Sequence, residues 1–262
     1  MPETEIPEPD YYIAVFENRY PSFSGDQGRC EVVCYTPDHD SSLGEQTVEH
    51  ISDLIAVWRD RTDELSRLPN VRYVFIFENR GEAIGVTLSH PHGQIYAYPF
   101  LPPVMTRELA AESRHLRKTG RCLYCDVLAG ETAGERTVAR NDRWIAFVPP
   151  FARWPYEVHV APLQHREWLL DLSPEDDESL AIILKTLLQK YDRLFDMPLP
   201  YVMAMHQRPP GRPAPHHHFH IEFYPPNRSQ DKLKYLAGSE LGAGAFILDA
   251  RAEDTAAELR DA

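Results

Sequence analysis

The chain has 262 residues, enough for one large or two small domains with real cores, and 43% hydrophobic against 26% charged residues reads as globular. A formal net charge of -13 sets aside a general nucleic-acid or membrane-surface role, so an anionic ligand must be met by a local pocket. No apolar run approaches the ~18 residues of a membrane span, and residues 1–10 are acidic and proline-rich without a signal-peptide core, which predicts a cytoplasmic protein.

In chain order, residues 12–16 and 31–35 read as strands. Val48, Ile51, Leu54, Ile55, Trp58 and Leu65 then recur at helical spacing, predicting one long amphipathic helix. Residues 71–77 read as a strand, and Glu78-Asn79-Arg80-Gly81 as a turn-prone loop. Next comes His90-Pro91-His92-Gly93-Gln94-Ile95-Tyr96-Ala97-Tyr98. Its apolar alternation from Gln94 onward predicts a strand that carries His90, His92 and Gln94 on one face, with Pro91 at the strand start or on an exposed edge. A second helix is expected over residues 105–118.

After Cys122-x-x-Cys125 the same order of elements returns. Residues 144–148 and 157–161 read as strands, and Ser173-Pro174-Glu175 as a helix start with Pro at the first helical position. Leu180, Ile183, Leu184, Leu187, Leu188, Tyr191 and Leu194 mark the face of a second long helix. Strands over 201–206 and 216–224 follow, separated by a Pro-rich loop. His39 and His165, His90 and His216, and His92 and His218 each lie 126 positions apart in matching contexts, which predicts two copies of one α/β unit.

Three constellations carry chemistry. Cys122, Cys125, His165 and His216 offer two thiolates and two imidazoles, the set that tetrahedral Zn²⁺ prefers, whereas Cys30 and Cys34 read as core filler. His206, His220 and Glu222, with Glu108 on the linking helix, read equally as a nest for a divalent ion and as a hydrogen-bonded polar face. In the first copy His39 and His90 hold the metal-type positions with no C-x-x-C before them, so that site is either absent or completed by something outside this sequence. His92 is then free for chemistry. A neutral imidazole is a good nucleophile toward phosphorus, and the Gln94 amide on the same face can donate to a phosphoryl oxygen as charge develops. Because an amide is neither acid nor base, it suits a leaving group, such as a sugar phosphate, that departs unprotonated.

Phe77-Glu78-Asn79-Arg80-Gly81-Glu82, Gly85 and His90-Pro91-His92-Gly93-Gln94 resemble the active-site signature of the galactose-1-phosphate uridylyltransferase family of the histidine-triad superfamily. Trp154-Pro155-Tyr156, Phe223-Tyr224-Pro225-Pro226 and residues 234–240 resemble later family blocks in the right order. The resemblance implies an α/β (α+β) fold of two tandem histidine-triad-like units, each a mainly antiparallel sheet with a long helix, here divided as residues 1–118 and 119–262. It also implies transfer of UMP from UDP-glucose to galactose 1-phosphate through a uridylyl-histidine at His92, with Gln94 steadying the transferred phosphate.

By the same resemblance Asn79, Gly85, Val86 and Thr87 meet the nucleotide phosphates, and Asn18 lies on the uridine side. Lys234, Tyr235, Ser239 and Glu240 bind the hexose across a homodimer interface. His39 and His90 match zinc ligands. Glu108, His206 and His220 match a second metal site, Zn²⁺ or Fe²⁺, with Glu222 where many members have His. UDP-glucose, UDP-galactose and hexose 1-phosphates are the implied partners. The family's first segment, with its own C-x-x-C, has no match here, which implies either a start upstream of Met1 or a shortened member. Two alternatives stay open on the residues alone: an ADP-sugar phosphorylase of the same fold, and a non-catalytic nucleotide-sugar binding protein.

Overall fold

The computed structural model describes residues 5–6, 8–86, 90–132 and 134–262. Strands β1 (Ala14–Glu17) and β2 (Arg29–Cys34) lead to helix α1 (Val48–Ser66), whose N-cap Thr47 accepts from the His50 amide and whose Ile51, Leu54, Ile55, Trp58 and Leu65 are buried as their spacing requires. Then come β3 (Tyr73–Arg80), β4 (His92–Tyr98), α2 (Pro103–Thr119), α3 (Leu123–Glu131), β5 (Thr137–Arg140), β6 (Trp144–Phe147) and β7 (Val158–Pro162). Helix α4 (Pro174–Leu194) opens with a capping box between Ser173 and Asp176. Strands β8 (Tyr201–His206) and β9 (His220–Tyr224), the small pair β10 (Asn227–Ser229) and β11 (Lys232–Leu233), and helix α5 (Ala252–Asp261) complete the chain.

Nine strands form one sheet in the order β1-β2-β4-β3-β8-β9-β7-β6-β5, every neighbouring pair antiparallel. The expected class is the observed one: an α/β fold of two tandem units, each a mainly antiparallel sheet with a long helix. The units meet edge to edge where β3 pairs with β8, from Phe77 opposite Ala204 to Arg80 opposite Tyr201. One apolar cluster runs beneath both, joining Val33, Ile76 and Ile95 of the first unit to Val160, Met205 and Ile221 of the second through α1 and α4.

The opposite face differs between the units. In the second, Cys122, Tyr124 and Leu128 of the α3 segment cover Ile145, Phe147 and Ala161. In the first, Phe75, Phe77, Gln94, Tyr96 and Tyr98 are half-exposed.

The structure departs from the sequence reading in four respects. Glu78, Asn79 and Arg80 are strand rather than loop, because β8 supplies their ladder partners. Strand β9 begins at His220, leaving residues 216–219 outside it. The elements α3, β5 and α5 were not expected. The repeat register is also shifted: β4 opens at His92 and β9 at His220, so His90 matches His218 and His92 matches His220, 128 positions apart.

Candidate active site and metal centres

His92 opens β4 opposite Cys34, and Gln94 follows on the same face opposite Val32 and Phe77. His92 Nδ1 lies 2.8 Å from the His90 carbonyl oxygen. A carbonyl only accepts, so Nδ1 carries a proton, and in the neutral ring Nε2 keeps its lone pair. A cavity of about 790 Å³ opens at this end of the sheet, lined among others by His92, Asn79, Arg80 and Val86. Gly85, at φ 87°, closes the turn that delivers Val86; Thr87 lies outside the described residues. Glu78 also borders the cavity. Its Oε1 accepts from the Tyr35 and Tyr201 hydroxyls, each at 3.1 Å, while Oε2 has no hydrogen-bond partner among the described residues. Burial pushes this carboxyl up to about 7, against the opposing charge of Arg80.

The His39 and His90 Nδ1 atoms face each other at 2.7 Å. Tyr11 donates its hydroxyl to the Thr36 carbonyl, 2.7 Å away, so its oxygen accepts from His90 Nε2 at 2.6 Å. His39 and His90 are thus brought together as expected, but they belong to no cluster of three or more ligand residues among the described residues.

In the second unit Cys122, Cys125, His165 and His218 converge. Cys125 Sγ lies 3.5 Å from His165 Nδ1 and 3.4 Å from His218 Nδ1. Tetrahedral zinc with ordinary bond lengths would separate such donors by about 3.6 Å. His218 Nε2 donates to the Pro162 carbonyl at 2.9 Å, which leaves Nδ1 free to ligate. Cys125 and the two imidazoles pull the Cys122 thiol far below its usual range despite burial, which favours a thiolate there. His218 replaces the expected His216, which contributes only its carbonyl, 3.5 Å from Cys122 Sγ. The two-residue register shift of the histidine strand is the cause.

Across the same face, α2 brings Glu108 to β8 and β9. Glu108 Oε2 lies 2.8 Å from His206 Nδ1 and Oε1 3.4 Å from His220 Nε2; the latter oxygen has no hydrogen-bond partner among the described residues. His220 Nε2 is also 3.1 Å from Glu222 Oε1. Burial alone would raise Glu108, but His206 and His220 hold it down at about 2. Burial would lower His220, yet Glu108 and Glu222 carry it up to about 9, and they raise His206 in the same way. The acids and the imidazoles thus favour each other's charged forms, and two carboxylates with two imidazole nitrogens make a donor set that fits a divalent ion.

The other expected substrate residues stand apart from His92. Asn18 lies beside Cys30, at the opposite end of β2 from Cys34, with its Oδ1 accepting from the Tyr20 amide at 2.9 Å. Lys234 is only 3% exposed, and its Nζ donates to the Arg153 carbonyl at 2.7 Å and to that of Ile247. Its ammonium is a strut for the segment that carries Tyr235, which is 77% exposed. Ser239 donates to the Ala245 carbonyl, and the Glu240 carboxylate accepts from the Ala237 and Ile247 amides. None of these residues borders the cavity at His92.

The N-terminal domain profile of galactose-1-phosphate uridyl transferase matches residues 8–102, and the C-terminal domain profile matches 108–261. The chain belongs to the galactose-1-phosphate uridyl transferase family. The Thermotoga maritima galactose-1-phosphate uridylyltransferase is 42% identical over 276 aligned residues, which cover 98% of this chain and 86% of that protein. The Streptomyces lividans enzyme is 49% identical over 212, covering 78% of this chain and 59% of its own length. A solved uridylyltransferase superposes with a TM-score of 0.90 at 36% identity, over 96% of this chain and 86% of that one. An Arabidopsis thaliana ADP-glucose phosphorylase, at 24% identity, shares the fold with a TM-score of 0.88 over 97% and 83% of the two chains.

Sequence reasoning passed over several residues that the family fold brings to these sites. His218 was assigned to the nucleophile's position. His159 on β7 was read only as part of a strand, although Glu157-Val158-His159 puts an acid and an imidazole on one face. Arg153, whose Nη2 lies 3.0 Å from Glu222 Oε2, carries no sequence signal of its own.

Proposed function

We propose that this chain is a galactose-1-phosphate uridylyltransferase working by double displacement through His92. The observation that carries the reading is the Nδ1 hydrogen bond to the His90 carbonyl beside the cavity, which in the neutral ring leaves the Nε2 lone pair for attack. In the first step Nε2 attacks the α-phosphorus of UDP-glucose. An N–P bond forms, the P–O bond to glucose 1-phosphate breaks, and that product leaves as the phosphate anion without needing a proton. In the second step a phosphate oxygen of galactose 1-phosphate attacks the same phosphorus and Nε2 departs. Gln94 donates to a non-bridging oxygen in both steps, while Asn79, Gly85, Val86 and Thr87 receive the phosphates.

The two units divide at about residue 118, with α2 of the first reaching over the second. Zn²⁺ is held by Cys122, Cys125, His165 and His218, and a second divalent ion, Zn²⁺ or Fe²⁺, by the Glu108 cluster; both would fix the fold rather than touch the reacting phosphorus. Tyr235, Ser239 and Glu240 serve the active site of a second copy, which is supported by the exposure of Tyr235 and by the separation of all three from this chain's own cavity. Among the described residues no helix is long and apolar enough to cross a membrane, and we place the protein in the cytoplasm, where C-x-x-C pairs bind metal.

The test is intact-protein mass after mixing with UDP-glucose alone, followed by peptide mapping. A uridylyl adduct on the His92 peptide, discharged by galactose 1-phosphate and absent from His92→Ala, is expected. An adduct with ADP-glucose instead would assign the phosphorylase activity. No adduct with either nucleotide sugar would leave a binding protein.

A further inference from the structure

Two ligand triads meet at one nitrogen. The first is Glu108, His206 and His220; the second is His159, His220 and Glu222. His220 Nδ1 is already spent on the His218 carbonyl at 2.8 Å, so both triads use the same atom, Nε2. An imidazole nitrogen has one lone pair and binds one metal ion. The triads therefore describe a single centre seen from two sides, and not two ions.

We infer that His159 is a direct ligand of this centre, giving it three imidazoles and two carboxylates. The inference rests on reading the Glu108 cluster as a metal site. Three observations support it. His159 and Glu222 are paired across β7 and β9, which fixes their side chains on one face at adjacent positions. Imidazole nitrogens of His220, His159 and His206 lie 3.1, 3.4 and 3.7 Å from the single oxygen Glu222 Oε1. The outward nitrogen of His159, Nδ1, is held at 2.8 Å by the Tyr124 hydroxyl, just as that of His220 is held by a carbonyl. Metal-binding histidines carry such a partner on the far nitrogen, which fixes ring and tautomer.

A plain hydrogen bond from His159 Nε2 to Glu157 Oε1, at 3.0 Å, is the competing explanation. It leaves Glu222 Oε1 as the common target of three imidazoles with no ion among them. Glu157 also has other donors: its Oε2 accepts from the Arg153 and Trp154 amides at 2.6 and 3.0 Å. Glu108 and Glu222 neutralise a divalent cation, Glu157 and Glu222 have Arg153 beside them, and His159 adds a neutral donor. Such a nitrogen and oxygen set suits a first-row divalent metal and disfavours Ca²⁺.

Mn²⁺ is the probe, because it prefers these donors to the thiolate pair. Chelator-treated whole protein is titrated with Mn²⁺, and pulsed electron paramagnetic resonance counts the coordinated imidazole nitrogens. Three are expected in the wild type and two in His159→Leu and His159→Asn, with Mn²⁺ binding weakened about 10- to 100-fold. Glu108→Gln should remove the signal, which assigns it to this site. Two nitrogens in the wild type would overturn the role of His159 and leave the metal centre standing. An absence of any Mn²⁺ signal sensitive to Glu108→Gln would overturn both. If the His159 variants fail to fold, the wild-type nitrogen count still decides.

Discussion

Glu78 is a buried carboxylic acid: Tyr35 and Tyr201 serve one oxygen, and among the described residues nothing donates to the other. Its folded value of about 7 stands above an ordinary 4.5, so the folded state holds a proton that the unfolded state has lost between those values. Stability is therefore full below about pH 4.5 and falls as pH rises through 7, by about 3 kcal/mol in all. Glu78→Gln keeps an acceptor for both tyrosines and cannot ionise. Denaturant titrations should find it near wild type at pH 4.5 and more stable by up to about 3 kcal/mol above pH 7; parallel curves would show that Glu78 titrates normally. At this scale the sequence put His92 and Gln94 on one strand face and Cys122, Cys125 and His165 together, and that is where they lie. It failed on His216 for a definite reason. In a strand, a slip of two residues keeps every side chain on its face, so His216-His217-His218-Phe219-His220 offers the same pattern in two registers. Only the ladder with β7 and β8 chooses between them.

The loop between β3 and β4 depends on Gly81. It sits at φ 90°, and a Cβ there would come within 2.9 Å of the Pro200 ring just ahead of β8. Gly81→Ala combines backbone strain with a clash against a rigid ring, and should cost about 1–3 kcal/mol by chemical denaturation. Because the same loop carries Glu82 and Val86 to the cavity, the variant should also bind UDP-glucose more weakly in calorimetric titration. Unchanged stability would mean that the loop and Pro200 move apart freely. Among the elements, α1 and α4 were readable because a buried face recurs over several turns. Strand β3 was misjudged at its end because Glu78-Asn79-Arg80-Gly81 has turn-forming letters, and pairing with β8 overrides local preference. Helix α3 was hidden because its first turn contains Cys125, which reads as a metal motif, and because nine residues give little periodicity.

At the scale of the whole molecule, the repeat in the sequence and the cooperative unit are different things. The units share the β3–β8 ladder, one apolar cluster, and the bidentate Arg80–Asp192 pair at 2.7 and 3.0 Å, which ties the first unit's strand to the second unit's helix. Metal-replete protein should unfold in one calorimetric transition, and Asp192→Ala should lower that transition by about 2–3 kcal/mol without splitting it, since it strands a largely buried guanidinium. Two resolved transitions would make the units independent domains. The single sheet has one more consequence. Separate units would each expose two strand edges, four in total, whereas joining at β3 and β8 leaves only β1 and β5 at the margins of the nine-stranded sheet. Both are four residues long, β1 ends in Glu17, β5 ends in Arg140, and β5 is irregular between Thr137 and Ala139. Short, charged and bulged margins are poor templates for a foreign strand, so the seam that unites the two units also protects this sheet against edge-to-edge aggregation.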